Sequence, residues 1–191
     1  MAIYSQQALH ELGFLSVGEN VRVSTKASFY GVGAICLGDN VRIDDFCVIS
    51  AGEGGINIGS HVHIAVFSSI IGAGKVTIND FCNISSRVAI YSSSDDYSGE
   101  YLTNPTIPSE FTNVEHTPVT LNKHVIVGAS SVILPNVNIG EGVALGAFSL
   151  VNRDLAPWTI YAGQPVKSIK PRSNKLLDLV PAFLNEYNSE Q

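Results

Sequence analysis

From Leu121 onward an apolar residue stands at every sixth position, namely Leu121, Val127, Ile133, Ile139, Leu145 and Val151. The residue four places after each is apolar or small: Val125, Ser131, Val137, Val143, Ser149 and Leu155. A period of 3.6 would carry such positions around a helix axis instead of stacking them on one face. The pattern therefore predicts short strands wound into the stacked coils of a parallel β-helix, an all-β solenoid. Gly or Asn follows most ladder residues, as in Val127-Gly128, Ile139-Gly140, Leu145-Gly146, Leu121-Asn122 and Val151-Asn152. These small residues are expected at the tight corners. The same ladder runs upstream through Val17 and Val23; Leu37, Ile43 and Ile49; Ile58, Ile64 and Ile70; and Ile78, Ile84 and Ile90. Its starts at 17, 37, 58 and 78 are 20 or 21 residues apart, one triangular coil of three hexapeptides plus two or three corner residues. With starts at 121 and 139 the expected count is about six coils, roughly 29 Å of prism at about 4.8 Å per stacked strand.

The interval from 78 to 121 exceeds an 18-residue coil by 25 residues, so an insertion is expected at about 92–118. It opens with Ser92-Ser93-Ser94-Asp95-Asp96, and half of it, fully extended, reaches roughly 40 Å at most. Long loops are commonly functional or disordered; Tyr97, Tyr101, Leu102, Pro105, Ile107, Pro108 and Phe111 argue for an ordered one. The chain thus divides into an N-terminal cap (1–16), the β-helix with its insertion (17–156), and a C-terminal tail and helix (157–191). Ser5 is expected to cap a lid helix over Gln6 to Leu12, with Gly13 ending it. Ser173 is expected to cap a closing helix bearing Leu176, Leu177, Val180, Phe183, Leu184 and Tyr187, which Pro181 kinks or splits.

Composition removes several function classes. Among 191 residues there are 11 Lys and Arg against 17 Asp and Glu, a net charge of −6, which offers no general footprint for nucleic acid or an anionic membrane. The N-terminal stretch lacks the pattern of a signal segment and no run is apolar enough to span a bilayer, so a soluble, cytoplasmic protein is expected. Three cysteines show no metal-ligand spacing: Cys47 and Cys82 fall at inward positions as fillers and Cys36 faces out. Outward apolar residues such as Val66 and Phe67, with a far-reaching loop, call for a neighbouring subunit.

The ladder from Val127-Gly128-Ala129 through Leu145-Gly146-Ala147, followed by Ala162-Gly163-Gln164-Pro165-Val166-Lys167, resembles the hexapeptide-repeat acyltransferases. It is most similar to bacterial acetyltransferases of sugars and nucleotide-linked amino sugars. The resemblance covers about 17 to 172 and implies a left-handed coil, a homotrimer, and acyl-CoA, here expected to be acetyl-CoA, in a groove between subunits. It implies no metal. Gly128, Ala129, Gly146 and Ala147 would line the pantetheine arm; Lys167, with Lys170 or Arg172, would meet the CoA phosphates, three cations within six residues suiting such a group.

Many relatives place a catalytic His just after the strand equivalent to Val88–Tyr91, and this chain has Asp95 and Asp96 there. Adjacent carboxylates repel, which tends to raise the pKa of one and makes it a usable base. A hydroxyl acceptor must lose its proton during attack, which suits an imidazole poised near neutrality, whereas an amine needs only its extra proton removed, which a carboxylate can accept. The expected reaction is therefore N-acylation of an amino sugar, nucleotide-linked and destined for surface polysaccharide such as O-antigen, with Asp95, Asp96 and Ser85 catalytic. Arg87, Tyr91, Tyr97, His61 and His63 are candidate acceptor contacts, and Ser85, Ser86 and Arg87 are expected on the same flank as the acidic pair. His10 belongs to the lid and His124 to a regular strand; His116, at the return end of the insertion, is the one histidine placed like a reactive residue. O-acetylation of a sugar hydroxyl is the alternative. A zinc hydratase would need His61, His63 and His116 or His124 to converge across an interface, and a non-catalytic β-helix scaffold would lack CoA affinity.

Overall fold

The structure, a computed structural model, describes residues 2–189, with side chains described as far as residue 186. Three parallel sheets form the sides of a prism. The first stacks Ser16–Val17, Ile35–Leu37, Ile56–Ile58, Val76–Ile78, Val119–Leu121 and Val137–Ile139. The second begins at Arg22–Val23 and the third at Ser28–Tyr30, each gaining one strand per coil. In-register pairing places each ladder residue on the next, as in Ile43↔Ile64, Ile64↔Ile84, Ile84↔Val127 and Val127↔Leu145. These residues are buried, as are the residues four places on, including Val41, Val62, Val125 and Val143. Cys47 and Cys82 are inward fillers, and desolvation pushes their thiols up to about 11 and about 12, so neither is a nucleophile near neutral pH. Cys36 is half-exposed.

The corners are built differently from the expectation. Their left-handed residue is the one three places after the ladder position: Asn40, Phe46, His61, Phe67, Phe81, Arg87, His124, Ser130, Asn136 and Phe148 all have positive φ. His124 therefore stands at a corner and not within a strand. The glycine directly after the ladder answers a different need. A Cβ on Gly128 would lie 2.4 Å from the amide nitrogen of Ala147 in the next coil, so stacking and not φ requires the absent side chain there.

Among the described residues there are six complete coils, and a seventh is partly built. Leu155 bridges to Ile139, and Thr159–Ala162 adds to the second sheet with Tyr161 on Leu145. The coils thus continue past 156. The hexapeptide count loses this turn because Pro157 occupies the next sixfold position and the stacked partner is 16 residues on. Lys167–Pro171 then folds back antiparallel on Thr159–Ala162.

Helix α1 (Gln6–Glu11) is capped by the Ser5 hydroxyl, which accepts from the Ala8 amide, and its Leu9 closes the open end of the core. At the other end, Lys175–Asp178 is a short 3-10 turn and α2 (Val180–Ser189) follows, so the closing helix is split just before Pro181. The side chain of Tyr187 lies outside the described residues. The insertion is rooted in a two-residue ribbon, Ser93–Ser94 against Glu115–His116, and exposes Tyr97, Tyr101, Leu102 and Phe111. Among the described residues no helix is long and apolar enough to cross a membrane.

Candidate active site

The three corners of the prism carry different chemistry. At the first, between the first and second sheets, Asn40, His61, Phe81, His124 and Trp158 form a column. The His61 ring stacks on Phe81 at 5.0 Å, Phe81 stacks on His124 at 5.0 Å, and Phe183 of α2 meets His61 edge-on at 5.1 Å. His61, expected near the acceptor, is instead packed under the chain's own closing helix. Burial draws the His124 pKa down, favouring a neutral ring in this stack. His63 lies on the outer surface of the second sheet, with Nε2 2.9 Å from Asp44 and Nδ1 3.2 Å from Asn83. Among the described residues no three His, Cys, Asp or Glu side chains converge on a metal position.

The second corner, between the second and third sheets, stacks Ser85-Ser86-Arg87 on Gly128-Ala129-Ser130 and Gly146-Ala147-Phe148. The amides of Ser85, Ser130 and Phe148 donate to Val127, Ser86 and Ala129 respectively. Inward hydroxyls hold this corner from below: Ser68 donates to the Ser85 carbonyl, Ser131 to Gly128 and Ser149 to Gly146. At the first corner the equivalent turn amides are capped, Glu19 by Asp39, Asp39 by Ser60 and Ser60 by Asp80. At the second corner the amides of Ser86, Ala129 and Ala147 donate to no acceptor among the described residues. Free amides beside glycines suit the amide carbonyls of a pantetheine arm. At the same corner Arg87 lies 5.3 Å from the Phe67 ring centroid, and Phe67 stacks on Phe46.

Lys167 is paired with Ala162, which stacks beside Gly146 at this corner, and Lys170 lies across from Ile160 farther along the sheet. Arg172 corrects the expected three-cation cluster. The returning strand carries it to the first corner, where its Nη1 donates to the carbonyls of His124, Gly142 and Val143 and burial lowers its pKa. Arg172 thus fastens the tail to the prism, far from Lys167.

The third corner, between the third and first sheets, bears the insertion. Asp95 is exposed and borders the depressions on both sides of the insertion root, one lined by Tyr91, Ser93, Ser94, Tyr97, Leu134 and Pro135. Asp96 does not carry the raised pKa expected of one of two neighbouring carboxylates. Asp96 accepts from both the amide and the hydroxyl of Ser98, and these bonds hold its carboxyl below the usual range. Asp96 is the cap of a turn, which leaves Asp95 as the unengaged acid. Ser85 and Arg87 are not on the flank of Asp95. One side of the prism, six residues at about 3.3 Å each, separates their corners by on the order of 15–20 Å.

The outer surface of that side is more apolar than that of the first sheet. Ser28, Val48, Ser69, Ala89, Val132 and Leu150 stand in one row of the third sheet, and Tyr30, Ser50, Ile71 and Tyr91 in the next. The matching row of the first sheet is Cys36, Asn57, Thr77, Thr120 and Asn138. The contrast is legible in hindsight, because the residue before each third-sheet ladder position is often apolar. The open amides have no sequence signal, since any residue supplies an N–H.

The chain is 57% identical over 183 residues, 96% of its length, to the dTDP-4-amino-4,6-dideoxy-D-glucose acyltransferase of Escherichia coli, and covers 95% of that protein. The chain belongs to the hexapeptide-repeat acyltransferases. No protein-family profile matches it. As an acyltransferase of this family it uses a CoA thioester as acyl donor. The N-acyltransferase AntD from Bacillus cereus, solved with dTDP and 3-hydroxybutyryl-CoA, superimposes with a TM-score of 0.94 at 49% identity, over 98% of this chain and 100% of AntD. AntD has also been solved with a serine replaced, bound to dTDP-4-amino-4,6-dideoxyglucose and CoA, and with an aspartate replaced, bound to dTDP and CoA. A Vibrio cholerae hexapeptide-repeat acetyltransferase, 20% identical with a TM-score of 0.65, shares the fold.

Proposed function

We propose that the enzyme transfers an acyl group from acyl-CoA to the amine of a dTDP-linked 4-amino-4,6-dideoxyhexose, in a homotrimer whose sites lie between subunits. The observation that carries this reading is the separation of Ser85 and Asp95 at the two edges of the prism side richest in outward apolar residues. When three such sides meet around an axis, the second corner of each subunit abuts the third corner of the next, and the two half-sites join. The substrate assignment is supported by the Escherichia coli relative and by the AntD complexes. In AntD the replaced serine and aspartate are ten residues apart, the spacing of Ser85 and Asp95.

In this arrangement the second corner holds the pantetheine arm with the thioester near Ser85. Asp95 of the adjoining subunit holds the amine against the thioester carbonyl. The nitrogen lone pair attacks the carbonyl carbon and an open corner amide stabilises the oxyanion. Asp95 takes the proton lost by nitrogen, and the C–S bond breaks to release the CoA thiolate, which that proton then neutralises. No acyl-enzyme forms. The soluble cytoplasm, where nucleotide sugars for surface polysaccharide are assembled, is the fitting compartment.

Acyl transfer from acetyl-CoA, measured across free and dTDP-linked amino and hydroxy sugars, tests the reading. The expected result is turnover of the dTDP-linked amine far above every other acceptor; preference for a sugar hydroxyl would replace it with O-acylation. Lys167→Glu is expected to weaken CoA binding about ten- to a hundredfold, the effect of losing a charge-assisted contact of about 1.5–3 kcal/mol, and to leave thermal unfolding unchanged. Calorimetric titration with CoA checks this; unchanged affinity removes Lys167 from the site.

A further inference from the structure

His116 stands at the insertion root close to the proposed base, and its hydrogen bonds define what it can do. The Ala73 amide of the third coil donates to the Ser93 hydroxyl oxygen at 2.8 Å. The same oxygen is 2.7 Å from Nδ1 of His116, the residue opposite Ser93 in the ribbon at the insertion root. Among the described residues no other acceptor for the Ser93 hydroxyl proton lies within reach. The arrangement that satisfies every group therefore runs from the Ala73 N–H to Ser93 Oγ, and from the Ser93 O–H to His116 Nδ1. This leaves the ring proton on Nε2.

The consequence falls on Asp95, which leaves the ribbon two residues after Ser93. A ribbon of two residues per strand has little stability of its own, so cross-strand side-chain pairs decide how well its exit is aimed. We propose that His116 is a positioning residue for Asp95: as a neutral ring it accepts from Ser93 and so clamps the insertion root to the third coil. It is not the base toward the acceptor amine, because its lone-pair nitrogen is turned to the Ser93 hydroxyl. This inference rests on the assignment of Asp95 made above.

Two substitutions separate the roles. Asn carries Oδ1 at nearly the reach of Nδ1 and can accept from Ser93, whereas Leu fills space and accepts nothing. His116→Asn is expected to keep kcat within about threefold. His116→Leu is expected to lower kcat by about ten- to a hundredfold through misplacement of the base. KM for acyl-CoA stays unchanged in both, since the groups proposed to hold CoA belong to the adjoining subunit and are not part of the ribbon. Ser93→Ala, which removes the bond from the other side, is expected to match His116→Leu and covers the case that the leucine variant fails to fold. Nitrogen NMR of histidine-labelled enzyme is expected to find Nδ1 of His116 unprotonated and Nε2 protonated. Equal inactivity of the Asn and Leu variants, a proton on Nδ1, or wild-type turnover in His116→Leu and Ser93→Ala would each overturn the proposal. The tautomer is measured without turnover, so a wrong acceptor assignment and a wrong clamp are told apart.

Discussion

Replacing Asp95 by Asn is expected to lower turnover by about 10²- to 10⁴-fold, the range for loss of a general base, while subunit assembly and CoA binding persist. The structure sharpens this expectation by separating Asp95 from its neighbour. Asp96 is committed to the Ser98 amide and hydroxyl, bonds that favour its ionised form, so it is poorly placed to accept a proton in a reaction. Asp95 is exposed beside two depressions at the insertion root and belongs to no turn cap. Asp96→Asn should accordingly act through the turn, with a smaller loss of kcat. Steady-state kinetics with saturating acyl-CoA, alongside sedimentation of each variant, measure both. Near-normal turnover in Asp95→Asn would remove the carboxylate from the chemistry and with it the argument for an amine acceptor.

Mixing two dead variants is expected to restore activity. If Ser85 and Asp95 of one site come from adjoining subunits, Ser85→Ala and Asp95→Asn homotrimers each lack one half of every site. In trimers re-formed from an equal mixture, a site is intact when its second corner comes from an Asp95→Asn chain and its third corner from a Ser85→Ala chain. Random assembly makes about a quarter of sites intact, so about a quarter of wild-type activity should return. Sites held within single chains would give none, because every chain carries one lesion. Denaturing and refolding the two variants together and apart, then assaying both, gives the answer. The geometric basis is the width of one prism side between the two residues, on the order of 15–20 Å, which no side-chain rotation closes.

Sequence and structure divided the information along physical lines. The fold was legible because a stacked coil repeats one demand, an inward apolar side chain every sixth residue, and Ile43, Ile64, Ile84, Val127 and Leu145 meet it in register. The insertion was legible as a break in that count, and the inward Cys47 and Cys82 as members of it. Where the repeat failed, so did the reading: Pro157 hid the seventh turn, whose Tyr161 nevertheless stacks on Leu145.

Site residues were legible as kinds of group but not as partners. Lys167, Lys170 and Arg172 lie close in sequence, yet a returning strand carries Arg172 to the opposite corner, where it bonds three carbonyls from two other turns. His61 and Asp96 likewise carried plausible chemistry, and their partners Phe183 and Ser98 assign them to packing and to a turn. The open amides of Ser86, Ala129 and Ala147 exist only because no carboxylate of the next coil caps them, a fact of stacking. By itself the sequence determined the coil, the insertion and the acidic residues at its mouth, since these follow from periodicity and residue type. Only the tertiary structure decided which corner each group occupies, because one hexapeptide of sequence separation is a whole side of the prism in space.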